Sequence, residues 1–567
     1  MTPTDTPSST TRGTPPVVWH IAGLDTAGGA GLSADQRAIE ALGAHACPVA
    51  ATLTAQNSQG VHSVHPVPAH TLEAQLAALA DDLPPAAIKT GLLGSIEAID
   101  CVARWVDRLR TAHRTGDAAQ HALPLVVDPV LKASAGGAAF TDAALWRALR
   151  EQLLPRATVL TPNRAEAHAL VHGHWPAHTV PREAVPALAR ALCALGAEAV
   201  VITGGDSDDG RHCLDWLHTP HAQGWLAAPR VPTPHHHGTG CTFASGLAAA
   251  MALGHVSADA AVLANMLTRH ALMHAHPAGT GAGPVKARAG FADGPAMGGA
   301  PLPWLGLHDA LPWRITVGEG AGSPPLFRPF TPPADRLYGI VADGPQVRAA
   351  LNAGLRCVQL RHKPQAGLEG HLGLALEAAR HAGAPLFIND HWRAAVSALT
   401  SEAPPGPPTR LQLGVHLGQE DLLSLSEQDT ATLLSHRHEV MLGLSSHSLW
   451  ELARAAGCGA SVIACGPLQP TTTKDMPWRP QGTHNLRWWV RHSPVPVLGI
   501  GGLLTADDLR RHGDCGAAAL CVVRALGTSP EAMARQVPAL RAALTTAAMP
   551  AAASHDASAG GLPHPVL

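Results

Sequence analysis

The sequence predicts two α/β domains in tandem: a parallel sheet covered by helices on both faces, followed by a (β/α)₈ barrel. In the first block of the chain, apolar runs alternate with Ala- and Leu-rich helical stretches, a pattern typical of strands buried on both faces. In the second block, eight short apolar runs recur at intervals of 20 to 34 residues, which matches the βα repeat of a small barrel. Because each domain is one large sheet, two domains account for the 567 residues.

The composition narrows the class of protein. Hydrophobic residues make up 46% of the chain, enough for a core, and the formal net charge is −3. This balance argues against a nucleic-acid partner or a polybasic membrane contact, and no apolar run reaches the roughly 18 residues of a membrane span. A polar N-terminus and ten scattered Cys residues predict a cytoplasmic protein with reduced thiols. We expect small-molecule partners, and the sequence leaves open whether the chain forms a homo-oligomer.

The same patterns divide the chain into segments. The N-terminal residues 1–16 and the tail 546–567 are predicted to be disordered, because neither contains periodic apolar positions. The first domain covers 17–285 and the second covers 336–545. The stretch 286–335 is rich in Gly and Pro and is predicted to be a linker with one short ordered piece in PWLGLHDALPW. A loose linker predicts that the two domains fold independently.

The strands of each domain are predicted in chain order from the apolar runs. Those of the first domain lie in VVWHIAG, PVAATLTAQN, AIKTGLL, LPLVVDPV, TVLTPN and AVVITGG. Those of the second lie in LYGIVAD, CVQLRHK, PLFIND, GVHLG, VMLGLSS, SVIACGP, VPVLGIGG and AAALCVV. Helix-compatible sequence fills most gaps, as the crossovers between parallel strands require.

Polar residues recur where the predicted barrel strands end. Arg361 and Lys363 follow the second strand and Lys474 follows the sixth, so three cations are expected at one mouth, suited to a pyrophosphate or two phosphates. Asp390 and Asp421 follow the third and fourth strands. Carboxylate oxygens are the ligands that Mg²⁺ prefers, so this pair is predicted to hold Mg²⁺ between protein and phosphate.

These motifs carry a resemblance. The segments QLRHK, FIND, GVHLGQED, LGLSSHS, GPLQPTTTKD and GIGGL, in this order across 336–530, resemble thiamine-phosphate synthase, a TIM-barrel family. The family joins hydroxymethylpyrimidine pyrophosphate to thiazole phosphate, with Mg²⁺ assisting the loss of pyrophosphate. The resemblance implies that the pyrimidine pyrophosphate is bound by Gln359, Arg361, Lys363, Asn389 and Lys474. It also implies that Lys474 is catalytic. It implies Mg²⁺ at Asp390 and Asp421, the leaving pyrophosphate near Ser445, and thiazole phosphate at Thr471, Thr473, Gly502, Val523 and Arg524. The family usually has Ser where Arg524 stands.

The first block contains a Gly-rich turn before a helix. Gly238, Thr239, Gly240 and Cys241 precede the Ala-rich run TFASGLAAAMALG, and the free N–H groups at such a helix N-terminus bind phosphate oxygens. A thiol in this position is expected to have a lowered pKa, so that Cys241 could act as a thiolate base.

Further polar residues stand at the ends of the first block's strands. Asn163 and Glu166 are spaced to share one helical face, a geometry suited to Mg²⁺ and its waters. Asp128 closes the strand LVVDP near the expected crevice. Asp35 and Gln56 are candidates to recognise a polar heterocycle by paired hydrogen bonds.

The motifs IAGLDTAGGAGLSAD, TLTAQNSQGV, IKTGLLG, VVDPV, TPNRAE and HGTGC resemble hydroxymethylpyrimidine/phosphomethylpyrimidine kinase, a family with the ribokinase-like three-layer α/β/α fold. The resemblance covers about 17–285. It implies Cys241 as general base, Glu166 at Mg²⁺, the aminopyrimidine at Gly23, Asp35 and Gln56, and ATP at Asn163, Gly238, Thr239 and Gly240. The family usually has Lys, a cation near the ATP phosphates, where Thr203 stands.

Together the two resemblances imply a bifunctional enzyme of thiamine biosynthesis. The first domain would make the pyrimidine pyrophosphate with ATP and Mg²⁺, and the second would consume it. Three alternatives remain at this point: a pyridoxal-type kinase in the first domain, an inactive kinase attached to an active synthase, and a non-catalytic sensor of thiamine precursors.

Overall fold

Two α/β domains make up the protein, and both predicted architectures are confirmed: an open sheet between layers of helices, and a closed eight-stranded parallel barrel. The computed structural model describes residues 14–115, 123–131, 143–205, 210–317, 325–364, 366–400, 411–471, 477–545 and 561–567.

The first domain contains a ten-stranded sheet with the order β10-β9-β8-β7-β6-β5-β4-β1-β2-β3. Its strands are β1 (Val17–Leu24), β2 (His45–Asn57), β3 (Gly60–Pro66), β4 (Ala87–Thr90), β5 (Leu125–Val127), β6 (Val159–Leu160), β7 (Ala199–Ile202), β8 (His212–His218), β9 (Gln223–Pro229) and β10 (Trp304–Leu305). The six predicted runs form the parallel part, β1, β2 and β4 to β7. Four strands were not predicted from the sequence, β3, β8, β9 and β10, and they pair antiparallel at the two ends of the sheet.

Helices cover both faces of this sheet. They are α1 (Gly31–Ala41), α2 (Ala69–Asp82), α3 (Ile96–Thr115), α4 (Ala143–Ala148), α5 (Arg164–His172), α6 (Val185–Ala194), α7 (Thr239–Ala252) and α8 (Ser257–Met273). Neighbouring residues of β1 point to opposite faces: Val18 packs in the core that contains Phe243 of α7, and Trp19 packs in the core that contains Val102 of α3. This alternation is what makes the domain three layers thick.

The second domain is a barrel closed by pairing of its first strand with its last. All eight predicted strands are confirmed: β11 (Leu337–Val341), β12 (Val358–Leu360), β13 (Leu386–Asn389), β14 (Leu413–Leu417), β15 (Met441–Ser446), β16 (Val462–Cys465), β17 (Val497–Gly499) and β18 (Ala519–Val522). Side chains that include Tyr338, Phe387, Met441 and Leu498 fill the interior.

The remaining helices surround the barrel, apart from the short α9 in the connecting segment. They are α9 (Trp313–Thr316), α10 (Gly344–Asn352), α11 (Leu368–Ala382), α12 (Trp392–Thr400), α13 (Gln419–Leu423), α14 (Glu427–Ser435), α15 (Leu449–Gly457), α16 (Gly482–His492), α17 (Ala506–Gly513) and α18 (Pro530–Thr545). Among the described residues, no helix combines the length and the apolar character needed to cross a lipid bilayer.

The predicted linker is more ordered than its composition suggests. Its strand β10 lies in the ordered piece predicted from the sequence and extends the sheet beside β9. Arg314 is buried, and its Nε donates to the carbonyl oxygen of Ala456 in the barrel at 2.8 Å. The backbone N–H of Leu326 donates to the carbonyl oxygen of Gly459 at 3.0 Å. The described part of 286–335 therefore joins the two domains by packing, and the prediction of a loose linker is wrong there.

The predicted disordered tail also contains packed residues. In its described part, 561–567, the N–H of His564 donates to Asn485 Oδ1 at 2.9 Å, and the carbonyl oxygen of Val566 accepts from the N–H of Arg479 at 2.8 Å. These contacts tie the end of the tail to α16, whereas residues 546–560, and residues 1–13 of the predicted disordered N-terminus, lie outside the described ranges.

A direct contact between the domains involves Asp259 of α8. Its Oδ1 accepts the N–H groups of Leu449 and Trp450, at the N-terminus of the barrel helix α15, at 2.7 and 3.1 Å. Asp259 is buried, and burial raises its pKa to about 7 although both N–H groups favour the ionised form. Two N–H groups in the first turn of α15 therefore share one acceptor from the other domain.

Replacing Asp259 with Ala should destabilise the whole chain. Two buried N–H groups would lose their acceptor, which costs about 1–3 kcal/mol. Urea unfolding of Asp259→Ala should show this loss, whereas the exposed Asp81→Ala on α2 should stay within about 0.5 kcal/mol of wild type. Equal stabilities of the two variants would contradict the assigned contact.

The same carboxyl group predicts a pH dependence. Because the pKa of Asp259 is about 7 in the folded chain against an ordinary 3.8, between about pH 4 and 7 the folded state keeps a proton that the unfolded state has lost. Stability from this group is therefore full at low pH and falls as pH rises towards 7, by up to about 1.4 kcal/mol per pH unit. The difference in unfolding free energy between wild type and Asp259→Asn, measured from pH 5 to 8, should decrease accordingly. A constant difference would contradict the raised pKa.

Candidate active sites

A cavity of about 620 Å³ opens in the first domain. It collects nearly all of the site residues predicted for this domain: Gly23, Gln56, Asn163, Glu166, Gly238, Thr239, Gly240 and Cys241. Thr203 and Asp128 also line it. Asp35 does not belong to the lining residues.

The N-terminus of α7 forms one wall of this cavity. Gly238 precedes the helix with φ of +88°, a conformation that favours glycine, and a Cβ there would clash with the carbonyl oxygen of Gly29. A Cβ on Gly240 would meet nothing within 4 Å. The first N–H groups of a helix have no intrahelical acceptor, so the open space over Gly240 is suited to an anion.

The thiol of Cys241 differs from its prediction. We expected a lowered pKa at the helix N-terminus, but burial raises the pKa of Cys241 to about 12, against the opposing effect of the Lys89 ammonium. Desolvation of the thiolate therefore outweighs the helix N-terminus. The predicted lowering of the Cys241 pKa is therefore wrong, because burial shifts it in the opposite direction.

A buried charge cluster lies beneath Cys241. The Lys89 ammonium is fully buried, 2.8 Å from Asp35 Oδ1 and 3.7 Å from Asp128 Oδ2. Asp35 also accepts a hydrogen bond from the Ser245 hydroxyl at 2.8 Å. Burial opposes ionisation of Asp35, but Lys89 and His20 hold its pKa below the ordinary value. Asp35 therefore positions Lys89, which differs from the predicted direct contact with a heterocycle.

Asp128 is the cavity-facing acid of the cluster. Burial raises its pKa to about 6, with Lys89 opposing and Asp35 adding to the shift. Its Oδ2 has no hydrogen-bond partner among the described residues. A carboxylate of this kind, beside a lysine at the floor of a cavity, can accept a proton or a cation from a ligand.

Asn163 and Glu166 cap the helix α5. Asn163 Oδ1 accepts the N–H of Glu166 at 2.9 Å, and Glu166 Oε2 accepts the N–H of Asn163 at 3.0 Å. Glu166 Oε1 also accepts the N–H of Leu131 at 3.2 Å. Both residues line the cavity. The donor set fits Mg²⁺ and its waters, with Glu166 already held in place by the capping box.

His237 is at the centre of the hydrogen bonds around Gln56, a residue of the predicted pyrimidine site. Its Nε2 lies 3.0 Å from Asp25 Oδ2 and 3.4 Å from Gln56 Nε2. Asp25 Oδ2 also accepts the N–H groups of Gly29 and Ala30 at 3.0 and 2.9 Å. Asp25 thereby fixes both the Gly-rich loop and the imidazole that contacts Gln56.

The mouth of the barrel contains a chain of amides. Tyr338 Oη donates to Gln359 Oε1 at 3.0 Å, and Gln359 Nε2 donates to Asn389 Oδ1 at 2.7 Å. Gln359 and Asn389 are both buried. This arrangement orients the amide of Asn389 so that its remaining donors can meet a ligand.

The predicted magnesium pair lies together at this mouth. Burial and the neighbouring Asp421 carboxylate raise the pKa of Asp390, and Arg361 opposes the shift. Asp390 has φ of +64°, an uncommon conformation for a residue with a side chain. Two carboxylates that repel each other form a donor set that fits Mg²⁺.

His416 and Ser445 are linked beside this pair. His416 Nε2 lies 3.0 Å from Ser445 Oγ, and burial, with a smaller effect of Arg361, lowers the pKa of His416 to about 4. Gln419 Nε2 donates to the Ser445 carbonyl oxygen at 2.7 Å, and Gln419 Oε1 accepts from Arg454 Nη1 at 3.0 Å. A neutral imidazole and a buried amide therefore position Ser445.

The other predicted synthase residues differ in how far they are exposed to solvent. Gly502 has φ of +75°, and a Cβ there would clash with Gln469, so only glycine fits this turn. Lys363, Val523 and Arg524 are exposed, and Thr471 is half-buried. Thr473 and Lys474 lie outside the described residues, and their roles remain predictions.

Four residues of these sites were not predicted from the sequence: Lys89, Asp25, His237 and His416. A signal exists for two of them: Lys89 interrupts the buried strand AIKT and His416 interrupts the buried strand LGVHL. A polar residue in a fully buried strand needs a partner, so each predicts a polar cluster.

Two family models match the chain. The model described as Phosphomethylpyrimidine kinase matches residues 25–286, and the model described as Thiamine monophosphate synthase matches residues 338–526. These ranges coincide with the open-sheet domain and the barrel.

Individual relatives agree with this division. The hydroxymethylpyrimidine/phosphomethylpyrimidine kinase of Mycobacterium tuberculosis is 38% identical over 272 residues, 48% of this chain and 94% of the relative. The probable thiamine biosynthetic bifunctional enzyme, chloroplastic, of Oryza sativa subsp. japonica is 28% identical over 536 residues, 92% of this chain and 87% of the relative.

Solved structures similar to the first domain include an ADP complex of Bacillus subtilis pyridoxal kinase, with 30% identity and a TM-score of 0.42 over 48% of this chain and 98% of that one. They also include phosphomethylpyrimidine kinase from Clostridium difficile 630, with 26% identity and a TM-score of 0.38 over 45% and 99%. From the matches to families and sequences, the chain belongs to the hydroxymethylpyrimidine/phosphomethylpyrimidine kinase family and, with a thiamine-phosphate synthase domain following it, is a bifunctional transferase of thiamine biosynthesis.

Proposed function

We propose that the first domain phosphorylates hydroxymethylpyrimidine and then its monophosphate with ATP. In the first step the substrate hydroxyl attacks the terminal phosphorus, its proton leaves to the enzyme, and ADP departs. The observation that carries this proposal is one cavity of about 620 Å³ that is lined by Cys241, by the open N-terminus of α7 and by the Gln56–His237 pair.

The residues that line this cavity would have different roles in phosphoryl transfer. The N–H groups around Gly240 would hold the transferring group, as a helix N-terminus holds phosphate. Gln56 would hydrogen-bond the aminopyrimidine, with His237 fixing its amide. Lys89 would stabilise negative charge as it develops on the substrate oxygen or on Cys241. Mg²⁺, for which Glu166 is the candidate ligand, supplies charge neutralisation on the ATP phosphates when bound.

We propose that the barrel couples the pyrimidine pyrophosphate with thiazole phosphate. The bond from the pyrimidine methylene carbon to the pyrophosphate oxygen breaks, a bond to the thiazole forms, and thiamine phosphate and pyrophosphate are released. Arg361 would bind pyrophosphate beside Asp390 and Asp421, the candidate Mg²⁺ ligands, and Ser445 would hydrogen-bond the leaving group. Lys363, Lys474 and the backbone at Gly502 would meet the remaining phosphate oxygens.

One incubation tests both halves. The purified full chain with hydroxymethylpyrimidine, thiazole phosphate, Mg²⁺ and ATP should form thiamine phosphate, detected by liquid chromatography. Product from the pyrimidine pyrophosphate but none from hydroxymethylpyrimidine would leave an active synthase with an inactive kinase. Faster ADP release with pyridoxine than with hydroxymethylpyrimidine would make the first domain a pyridoxal-type kinase.

A further inference from the structure

Among the described residues, no counter-ion accompanies one cation of the first-domain cavity. Arg269 lies on α8 and lines the cavity. Its Nε and Nη1 atoms are buried and have no hydrogen-bond partner among the described residues. Burial lowers the pKa of the guanidinium, and no carboxylate among the described residues raises it. Arg269 as a whole is half-buried, and removing a charge from water without a partner is unfavourable, so an anion that enters the cavity would relieve this cost.

The other cations of this cavity contrast with Arg269. Lys89 is neutralised by Asp35 and Asp128. Arg230 Nη1 donates to the carbonyl oxygen of Gly205 at 3.4 Å. Arg269 is therefore the cavity-lining cation for which a bound ligand is the best candidate partner.

The neighbours of Arg269 locate it within the cavity. Asn265 lies one helical turn before it, and Asn265 Nδ2 donates to Asp215 Oδ2 at 2.9 Å. Asp215 Oδ1 accepts the N–H of Gly204 at 2.9 Å. Residues four apart on a helix are neighbours on its surface, so Arg269 lies one turn from the residue that Asp215 connects to the segment with the lining residues Thr203 and Gly205.

We propose that Arg269 binds the phosphate chain of the phosphoryl donor, supplying a positive charge on the side of the cavity where Thr203 offers none. This inference rests on the proposed kinase function of the first domain. A guanidinium presents several N–H donors in one plane, a geometry that matches two phosphate oxygens. Arg269 is thus a binding residue whose effect should grow with the number of phosphates on the nucleotide.

Two other roles for Arg269 give different results. In the last two turns of α8, a cation can stabilise the helix through the carbonyl ends, and that role requires no nucleotide. A guanidinium can also stack on a planar base, and that role requires adenine but no phosphate.

The test compares adenosine, AMP, ADP and MgATP binding to the full chain by titration calorimetry. Arg269→Gln should bind MgATP about 10- to 100-fold more weakly than wild type, because a hydrogen-bonded charge pair is lost. Its affinity for adenosine should be unchanged, and Arg269→Lys should recover part of the loss. The exposed Arg104→Gln on α3 is the matched control. Synthase turnover of each variant, started from the pyrimidine pyrophosphate, reports that the chain is folded.

Each outcome decides the assignment. An equal loss for adenosine and MgATP would overturn it in favour of base stacking. Unchanged MgATP binding by Arg269→Gln, with or without a lower melting temperature, would overturn it in favour of a helix-stabilising role. If the wild type itself binds none of the four ligands, the kinase proposal fails and this inference fails with it. A loss of binding that is confined to Arg269→Gln leaves the kinase proposal intact.

Discussion

Cys241→Ala should abolish thiamine phosphate formation from hydroxymethylpyrimidine and leave its formation from the pyrimidine pyrophosphate at the wild-type rate. Removing a general base typically slows a reaction by about 10²- to 10⁴-fold. The barrel contains none of the residues that line the cavity around Cys241, so the second reaction has no reason to change. Following ADP release and thiamine phosphate separately measures the two steps.

The raised pKa of Cys241 sharpens this prediction. A thiol with a pKa of about 12 is almost entirely protonated at neutral pH. If its thiolate takes the substrate proton, the kinase rate should rise about tenfold per pH unit over the range in which the chain is folded. In Cys241→Ala this slope should disappear. A rate that instead levels off above about pH 6 in the wild type would move the role of base to Asp128.

A control variant separates chemistry from stability. Cys193 lies on α6 and does not line the cavity, so Cys193→Ala should keep both activities. Loss of both activities in Cys241→Ala would contradict the division of labour between the domains. Kinase turnover of Cys241→Ala at the wild-type rate would show that Cys241 takes no part in the reaction.

Much of the fold was predictable because its strands are buried on both faces. A run such as LVV in β5 or VIAC in β16 has no exposed face, so its residues are apolar throughout and stand out from the helices. The missed β8 is also largely buried, but its sequence HCLDWLH contains His and Asp. Asp215 within it is satisfied by Asn265 and by the N–H of Gly204, contacts that a local pattern does not contain.

The site was predictable where backbone conformation demands a residue type. Gly238 and Gly502 both have positive φ and no room for a Cβ, so glycine is required at these two turns of the predicted sites. The pKa of Cys241 and the placement of Asp35 were not predictable, because both depend on burial and on Lys89. The order in the linker beyond its short predicted piece was missed because Arg314 and Leu326 find their hydrogen-bond partners on the barrel.

Asp390→Asn and Asp421→Asn should each slow thiamine phosphate formation from the pyrimidine pyrophosphate by at least about 100-fold. A divalent cation contributes several kcal/mol of charge stabilisation, and either substitution removes one of the two carboxylates that fit it. The kinase activity of both variants should remain at the wild-type level. Glu377→Gln, which removes an exposed carboxylate paired with Arg348 on the barrel surface, should leave both activities unchanged.

A measurement without substrate tests the same pair. Mg²⁺ that binds only the folded chain raises its melting temperature in a concentration-dependent way, so the wild-type barrel should melt higher as Mg²⁺ increases and the two variants should respond less. Without Mg²⁺ the two variants should melt no lower than the wild type. The Asp421 carboxylate contributes to the raised pKa of Asp390, so an Asn at either position removes a repulsion between the two side chains. Variants that keep the full Mg²⁺ response would show that the ion binds elsewhere, and a large loss of stability without Mg²⁺ would show that the carboxylates hold the barrel mouth together by themselves.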